Sequence, residues 1–246
     1  MKLKDIFKME MYKNFTDKPY LIMIGILAAA WAVVVIADSV FSISIFGNST
    51  FNNIVIMLAV FAGIATTIFV FVYPFHLLRV DYRHKVLSLM IASGVARVEY
   101  YFVKVGATVL SCLIVAIVIL VVPLLNYLFF QVDDFVVFMR LFFQDFFASD
   151  RILFLLSSAS IFIASVVMLS TAIIITRGKM AAIFLFMGFF FSSSMVRAII
   201  DIPYLWGSSM WSRDFNTMMI QSIIVSFVQI AIFAFIGIST LTKQDL

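Results

Sequence analysis

Six apolar runs, Tyr20 to Ile45, Phe51 to Leu78, Lys104 to Phe130, Ile152 to Ile175, Met180 to Ile200 and Thr217 to Leu241, leave this chain few ways to fold. Each reaches the ~20 residues that a helix needs to cross the hydrocarbon layer. Backbone groups in hydrocarbon must be satisfied within their own segment, so runs like these are expected to be helices. With 64% hydrophobic residues against 12% charged in 246, the composition excludes a water-soluble domain. The expected fold class is an all-α integral membrane protein. It would form a single transmembrane domain over residues 1–246, with spans near 20–45, 51–78, 104–130, 152–175, 180–200 and 217–241, and no room for a separate catalytic domain. No charged, apolar and cleavage-site pattern precedes Tyr20, so the first run is expected to stay as a span.

An even number of spans puts both termini on one side. Lysine and arginine favour the side that is never translocated, because a cation crosses hydrocarbon at high cost. Lys2, Lys4, Lys8, Lys13 and Lys18 precede the first span; Arg79, Arg83, Lys85, Arg97 and Lys104 lie between the second and third. Arg177, Lys179 and Lys243 bring that side to thirteen, against Arg140, Arg151, Arg197 and Arg213 opposite. Both termini are therefore expected in the cytoplasm. Scattered between apolar segments, these charges form no patch for nucleic acid.

Three stretches outside the spans have interfacial character. In residues 1–14, Leu3, Ile6, Phe7 and Met11 share one helical face and Lys4, Lys8 and Glu10 another, the pattern of an amphipathic helix in the inner headgroup layer. Outside, residues 133–147 set Phe135, Phe138, Phe142 and Phe146 against Asp133, Arg140 and Gln144, which suits a helix lying flat on the membrane. Residues 201–216 carry Tyr204, Trp206 and Trp211 beside the helix breakers Pro203 and Gly207, a pattern for a broken or re-entrant piece.

Signals for catalysis are missing. The one Gly-Lys pair, Gly178-Lys179, has Ile173 where a phosphate-binding loop needs its first glycine and Met180 where it needs a hydroxyl. His76 and His84 stand eight apart at the end of span two without a ligand set, and the acid pair Asp133-Asp134 lies in an outer loop. Cys112, the single cysteine, sits in an apolar run and is expected as a packed thiol. The ionisable groups Asp38, Arg197, His76 and Lys104 fall at span ends, and Arg197 with Asp201 either pair or snorkel separately. Ser193, Ser194, Gln221 and Gln229, with Phe189, either bond between helices or line a substrate pathway. Gly25 with Ala29 and Ala59 with Gly63 are small-xxx-small pairs suited to close packing.

Only the stretch from Arg79 to Lys104 is long, charged and internally patterned. Span two, 28 residues at ~1.5 Å each, reaches roughly 42 Å, so its inner end projects into the cytosol. Beyond it, Val86 with Met90 and Leu87 with Ile91 repeat at i and i+4, and Ser93-Gly94 closes the short helix. An apolar helix of two turns in the cytosol suits docking in a groove of another protein.

Asp81, the basic stretch with Arg83 and Lys85, the Val86 to Ile91 helix, Ser93-Gly94, Arg97 and Lys104 follow an order and spacing that resembles the permease subunits of ABC-2-type transporters. Val86 departs from that pattern, where members often have threonine. The resemblance implies two permeases, identical or different, joined to two ABC ATPase subunits that hold ATP and magnesium, with no cofactor bound by this chain. It implies that the loop helix is a cytoplasmic coupling helix seated in a cleft of the ATPase. Val86, Leu87, Leu89 and Met90 would be the buried contact, and Arg83, His84, Lys85 and Arg97 would flank it, facing acidic groups or lipid phosphates. It further implies a bacterial cell-membrane exporter, non-catalytic itself, of the kind that moves amphipathic, antimicrobial or cytolytic peptides out of Gram-positive cells. A phenylalanine-rich route would suit such a peptide or a lipid-like substrate. The alternative is a stand-alone six-span secondary carrier, or a membrane assembly or sensor protein without an ATPase.

Overall fold

A computed structural model describes residues 3–41, 60, 63–64, 69, 72–82, 86–92, 94–130, 149–206 and 215–244. Among these the chain is all-helical. Helix α1 runs over Leu3–Thr16 and α2 over Lys18–Phe41. A further helix, α3, covers 72–82. The loop helix α4 covers Val86–Ala92, followed by α5 at Arg97–Phe130, α6 at Ser149–Ile175, α7 at Ala181–Trp206 and α8 at Phe215–Lys243.

Among the described residues, three helical stretches are long and apolar enough to cross a membrane: Arg97–Ile117, Arg151–Ile175 and Asn216–Lys243. A fourth is reached if α1 and α2, bent by 59° at Asp17, count as one broken span, and Ala181–Val196 is a shorter apolar helix. The bend has a local cause. Pro19 in the first turn of α2 has no N–H to carry a helical ladder across the junction, and the carbonyl of Asp17 restarts it by accepting from Leu21 N–H at 3.2 Å.

Helix α6 packs most extensively on α8, while α1 and α2 both lie on α5. At the α6–α8 crossing, Gly237 lets the backbones approach: a Cβ there would lie 3.0 Å from Thr171 Oγ1 and 3.1 Å from the Tyr101 ring. The Thr171 hydroxyl donates to the Phe233 carbonyl on α8 at 2.9 Å. The main core joins Ile6, Phe75, Leu78, Met90, Tyr100, Tyr101, Val166, Ile173 and Leu241, and a smaller one joins Leu27, Phe69, Tyr73, Cys112 and Val115. Cys112 is buried as a packed thiol.

Several expectations change. Lys104 does not open the third helix; α5 begins two turns earlier at Arg97. Helix α7 continues through Asp201 and Pro203 to Trp206 rather than breaking at residue 201. In α1, Ile6 and Glu10 are both fully buried, so the acid faces the bundle and not the polar side. Among the described residues, nothing lies within 4 Å of a Cβ built at Gly25. Ala59, the outer stretch 133–147, the side chains of Arg197 and Asp201, and residues 207–214 with Gly207 and Trp211 lie outside the described residues.

Candidate functional site

Four charges converge where α1, α3 and α5 meet beneath the loop helix. Lys104 Nζ lies 2.7 Å from Glu10 Oε2 and 2.9 Å from Asp81 Oδ2. Lys13 Nζ donates to Glu10 Oε1 at 3.0 Å and also to Asp81 Oδ1. The Tyr100 hydroxyl donates to Asp81 Oδ2. Two carboxylates and two ammoniums cancel, and each carboxylate bridges both cations. Helical spacing assembles the group: Tyr100, Lys104, Thr108 and Ser111 occupy successive turns of one α5 face, and Glu10, Lys13 and Asn14 share one turn of α1. Asn14 Nδ2 donates to Ser111 Oγ at 3.0 Å and extends the polar seam by another turn.

Burial alone would raise the pKa of Asp81. The ammoniums of Lys104 and then Lys13, with the hydrogen bonds from Lys13 and Tyr100, outweigh it and hold the carboxyl below its usual range. A carboxylate whose folded pKa is depressed contributes stability above its unfolded pKa and loses it as the pH falls through the folded value. The melting temperature of wild-type protein should therefore exceed that of Asp81→Asn by a constant margin above about pH 4, narrowing at lower pH. A margin that stays constant down to pH 2 would contradict this assignment.

The cluster clamps the base of a loop whose parts are individually braced. Helix α4 ends in a left-handed glycine, Gly94 at φ +88°. Gly94 N–H reaches the Ile91 carbonyl at 3.0 Å and Val95 N–H the Met90 carbonyl at 3.2 Å, which satisfies the last carbonyls and brings buried Met90 and Val95 together. On α5, one nitrogen of Arg97 donates to the carbonyls of Leu241, Thr242 and Gln244 at 2.8–2.9 Å, capping α8. Gln244 in turn donates to the Ile174 carbonyl near the end of α6 at 2.7 Å. From α3, Arg79 Nε donates to the Gly178 carbonyl at 2.7 Å, which ties the α6–α7 turn to the same end of the bundle. His76 pairs with Asp17 at 2.7 Å across the α1–α2 junction.

The residues expected to couple to a partner separate on this geometry. Leu89 is 69% exposed, Val86 is half-buried against the core, and Met90 is buried in the chain's own core. Met90 is therefore not free for a partner's groove, and Arg97 is engaged by the C-terminal carbonyls. Arg83, His84 and Lys85, with the side chain of Leu87, lie outside the described residues. Among the residues expected to bond between helices or line a pathway, Gln229 on α8 donates to Ser193 on α7 at 2.6 Å, and the Phe189 ring lies 4.9 Å from that of Phe233. Ser194 bonds back to the Phe190 carbonyl, and Gln221 is half-buried on α8.

Sequence reasoning placed Glu10 on the polar face of α1, missed Tyr100 and treated Lys13 only as a topological charge. The signal was present in the spacing: Ile6, Glu10, Lys13 and Asn14 fall on one face of α1. No group of three or more potential metal ligands occurs among the described residues. Compared with family models, curated proteins and solved structures, the chain matches none.

Proposed function

We propose that this chain is the transmembrane permease subunit of an ATP-driven exporter of the ABC-2 type, with six spans, both termini cytoplasmic and α4 as its coupling helix. The observation that carries this reading is the mounting of α4. A seven-residue apolar helix exposes Leu89 midway along its length, while its flanks are fixed by the buried cluster on one side and the Arg97 cap on the other. Displacement of a rigidly mounted peg is passed to the helices that hold it, because packed interfaces switch between discrete arrangements rather than deforming smoothly. Here those helices would be α1, α3 and α5.

On this reading α1 is more than an interfacial float, since it contributes two of the four charges. ATP and magnesium reside in the partner ATPase, and a second permease completes the transporter in a bacterial cell membrane. The cargo proposed is an amphipathic peptide, of the class handled by small Gram-positive permeases such as the staphylococcal phenol-soluble modulin exporter, and the abundance of phenylalanine in the spans suits an apolar cargo.

Leu89 is the exposed apolar residue of α4 that would enter a partner's groove. Leu89→Asp should leave the melting temperature within about 1–2 °C of wild type, because the side chain is solvent-facing. It should abolish retention of a nucleotide-binding subunit on affinity purification from the native host in mild detergent, since a charge would enter an apolar groove. A wild-type particle that purifies without such a subunit would favour the carrier or assembly-protein alternative.

A further inference from the structure

An apolar cleft of about 400 Å³ opens between α3, α6 and α7, lined by Val72, Phe75, Ile183, Phe186, Met187 and Phe190. A second lobe of about 320 Å³ shares Leu169, Phe186 and Phe190 with it and adds Pro74, Phe162 and Ser165. The two walls run in opposite directions. Along α3 the chain descends from Val72 through Phe75 to Arg79, and along α7 it rises from Met180 through Ile183 and Met187 to Phe191. Arg79 and Met180 therefore mark the same end of the cleft, and Arg79 Nη1 reaches Met180 Sδ at 3.3 Å. From Met180 to Phe191 the helix rises roughly 16 Å, about half the ~30 Å hydrocarbon thickness. The cleft is thus as deep as one leaflet.

Its mouth is cationic. The Arg79 guanidinium lies 5.8 Å from the ring centre of Phe75, a lining residue, and is held there by the Gly178 carbonyl. Arg177 and Lys179 flank that carbonyl and are exposed. Among the described residues, none of these three cations has a carboxylate within 4.0 Å. By contrast, Lys13 and Lys104 are neutralised by acids, and Arg97 is engaged by the carbonyls at the end of α8.

We infer that this cleft binds one phospholipid with an anionic headgroup, its phosphate on Arg79 with Arg177 and Lys179 alongside and an acyl chain between α3 and α7. Charge complementarity selects the occupant. A zwitterionic lipid would bring its own cation against three unpaired ones, whereas an anionic headgroup meets them without one. The inference rests on the chain being a membrane protein and is independent of the transporter reading.

Native mass spectrometry of the delipidated full chain in detergent, titrated with phosphatidylglycerol or phosphatidylcholine, tests it. Phosphatidylglycerol should bind at least about fivefold more tightly, the effect of a single basic residue near the headgroups. Arg79→Gln should weaken phosphatidylglycerol by about that factor and phosphatidylcholine by less, so that the preference shrinks. Should Arg79→Gln unfold the chain, the exposed pair Arg177→Gln/Lys179→Gln should still narrow the preference. Met187→Trp, which fills the cleft, should weaken both lipids alike. Equal affinity for the two lipids in wild type, a preference that survives both charge variants, or full retention of lipid in Met187→Trp would overturn the assignment. So would displacement of phosphatidylglycerol by millimolar inorganic phosphate, which would make the site one for a free anion.

Discussion

Replacing Lys104 with methionine is expected to destabilise the protein by about 3–5 kcal/mol, because it leaves two buried carboxylates to share the single half-exposed cation Lys13, so that one negative charge is uncompensated. Glu10 is fully buried and Asp81 nearly so, and Lys104 bridges both at 2.7 and 2.9 Å. Methionine keeps the length and apolar stem of lysine, so the loss reads the charge rather than a cavity. Two comparisons separate this from a general packing defect. Lys13→Met should cost less, since the Lys13 side chain is 32% exposed and Lys104 still bridges both acids. Adding Asp81→Asn to Lys104→Met should recover part of the loss, because it removes the uncompensated charge. Thermal unfolding in detergent supplies the measurement, and a single Lys104→Met variant as stable as wild type would mean that the cluster holds nothing together.

Gly178→Val carries the second large effect, about 3 kcal/mol or more, from two sources that act at one atom. The residue sits at φ +74°, a conformation that a β-branched side chain adopts only under strain. A Cβ there would also stand 2.6 Å from Tyr82 Cβ, so either the α6–α7 turn or the end of α3 must move, at a further cost of about 1–3 kcal/mol. Such a shift would pull the Gly178 carbonyl away from Arg79, and loss of anionic-lipid preference should accompany the loss of stability. The control is Gly25→Ala. Among the described residues nothing lies within 4 Å of a Cβ at Gly25, inside α2, so alanine there should be neutral or stabilising by up to about 1 kcal/mol through helix propensity.

The two helix stops were legible to different degrees. Gly94 follows a two-turn apolar repeat and could be placed as the end of α4 from local chemistry alone. At the end of α6 the left-handed residue is Arg177, at φ 52°, followed by Gly178, which had attracted notice only as a failed phosphate-loop pair. Its use as a turn against Tyr82 depends on an element almost a hundred residues away. Lys104 shows the same division: counting charges located it at a membrane edge, but its partners come from α1 and α3.

Apolar run length and charge asymmetry could be read from the chain because each reflects the transfer of a segment or a side chain between water and hydrocarbon, a property of the residue itself. All-helical structure, membrane character and the short helix between the second and third runs follow from that. Which charges neutralise one another could not be read in this way, since Coulomb attraction acts through space and depends on distances between α1, α3 and α5 that only packing sets. The tertiary structure therefore decided that Glu10 faces inward, that Met90 belongs to this chain's own core while Leu89 is left outside, and that Arg79, with no carboxylate beside it among the described residues, stands at the mouth of an apolar cleft.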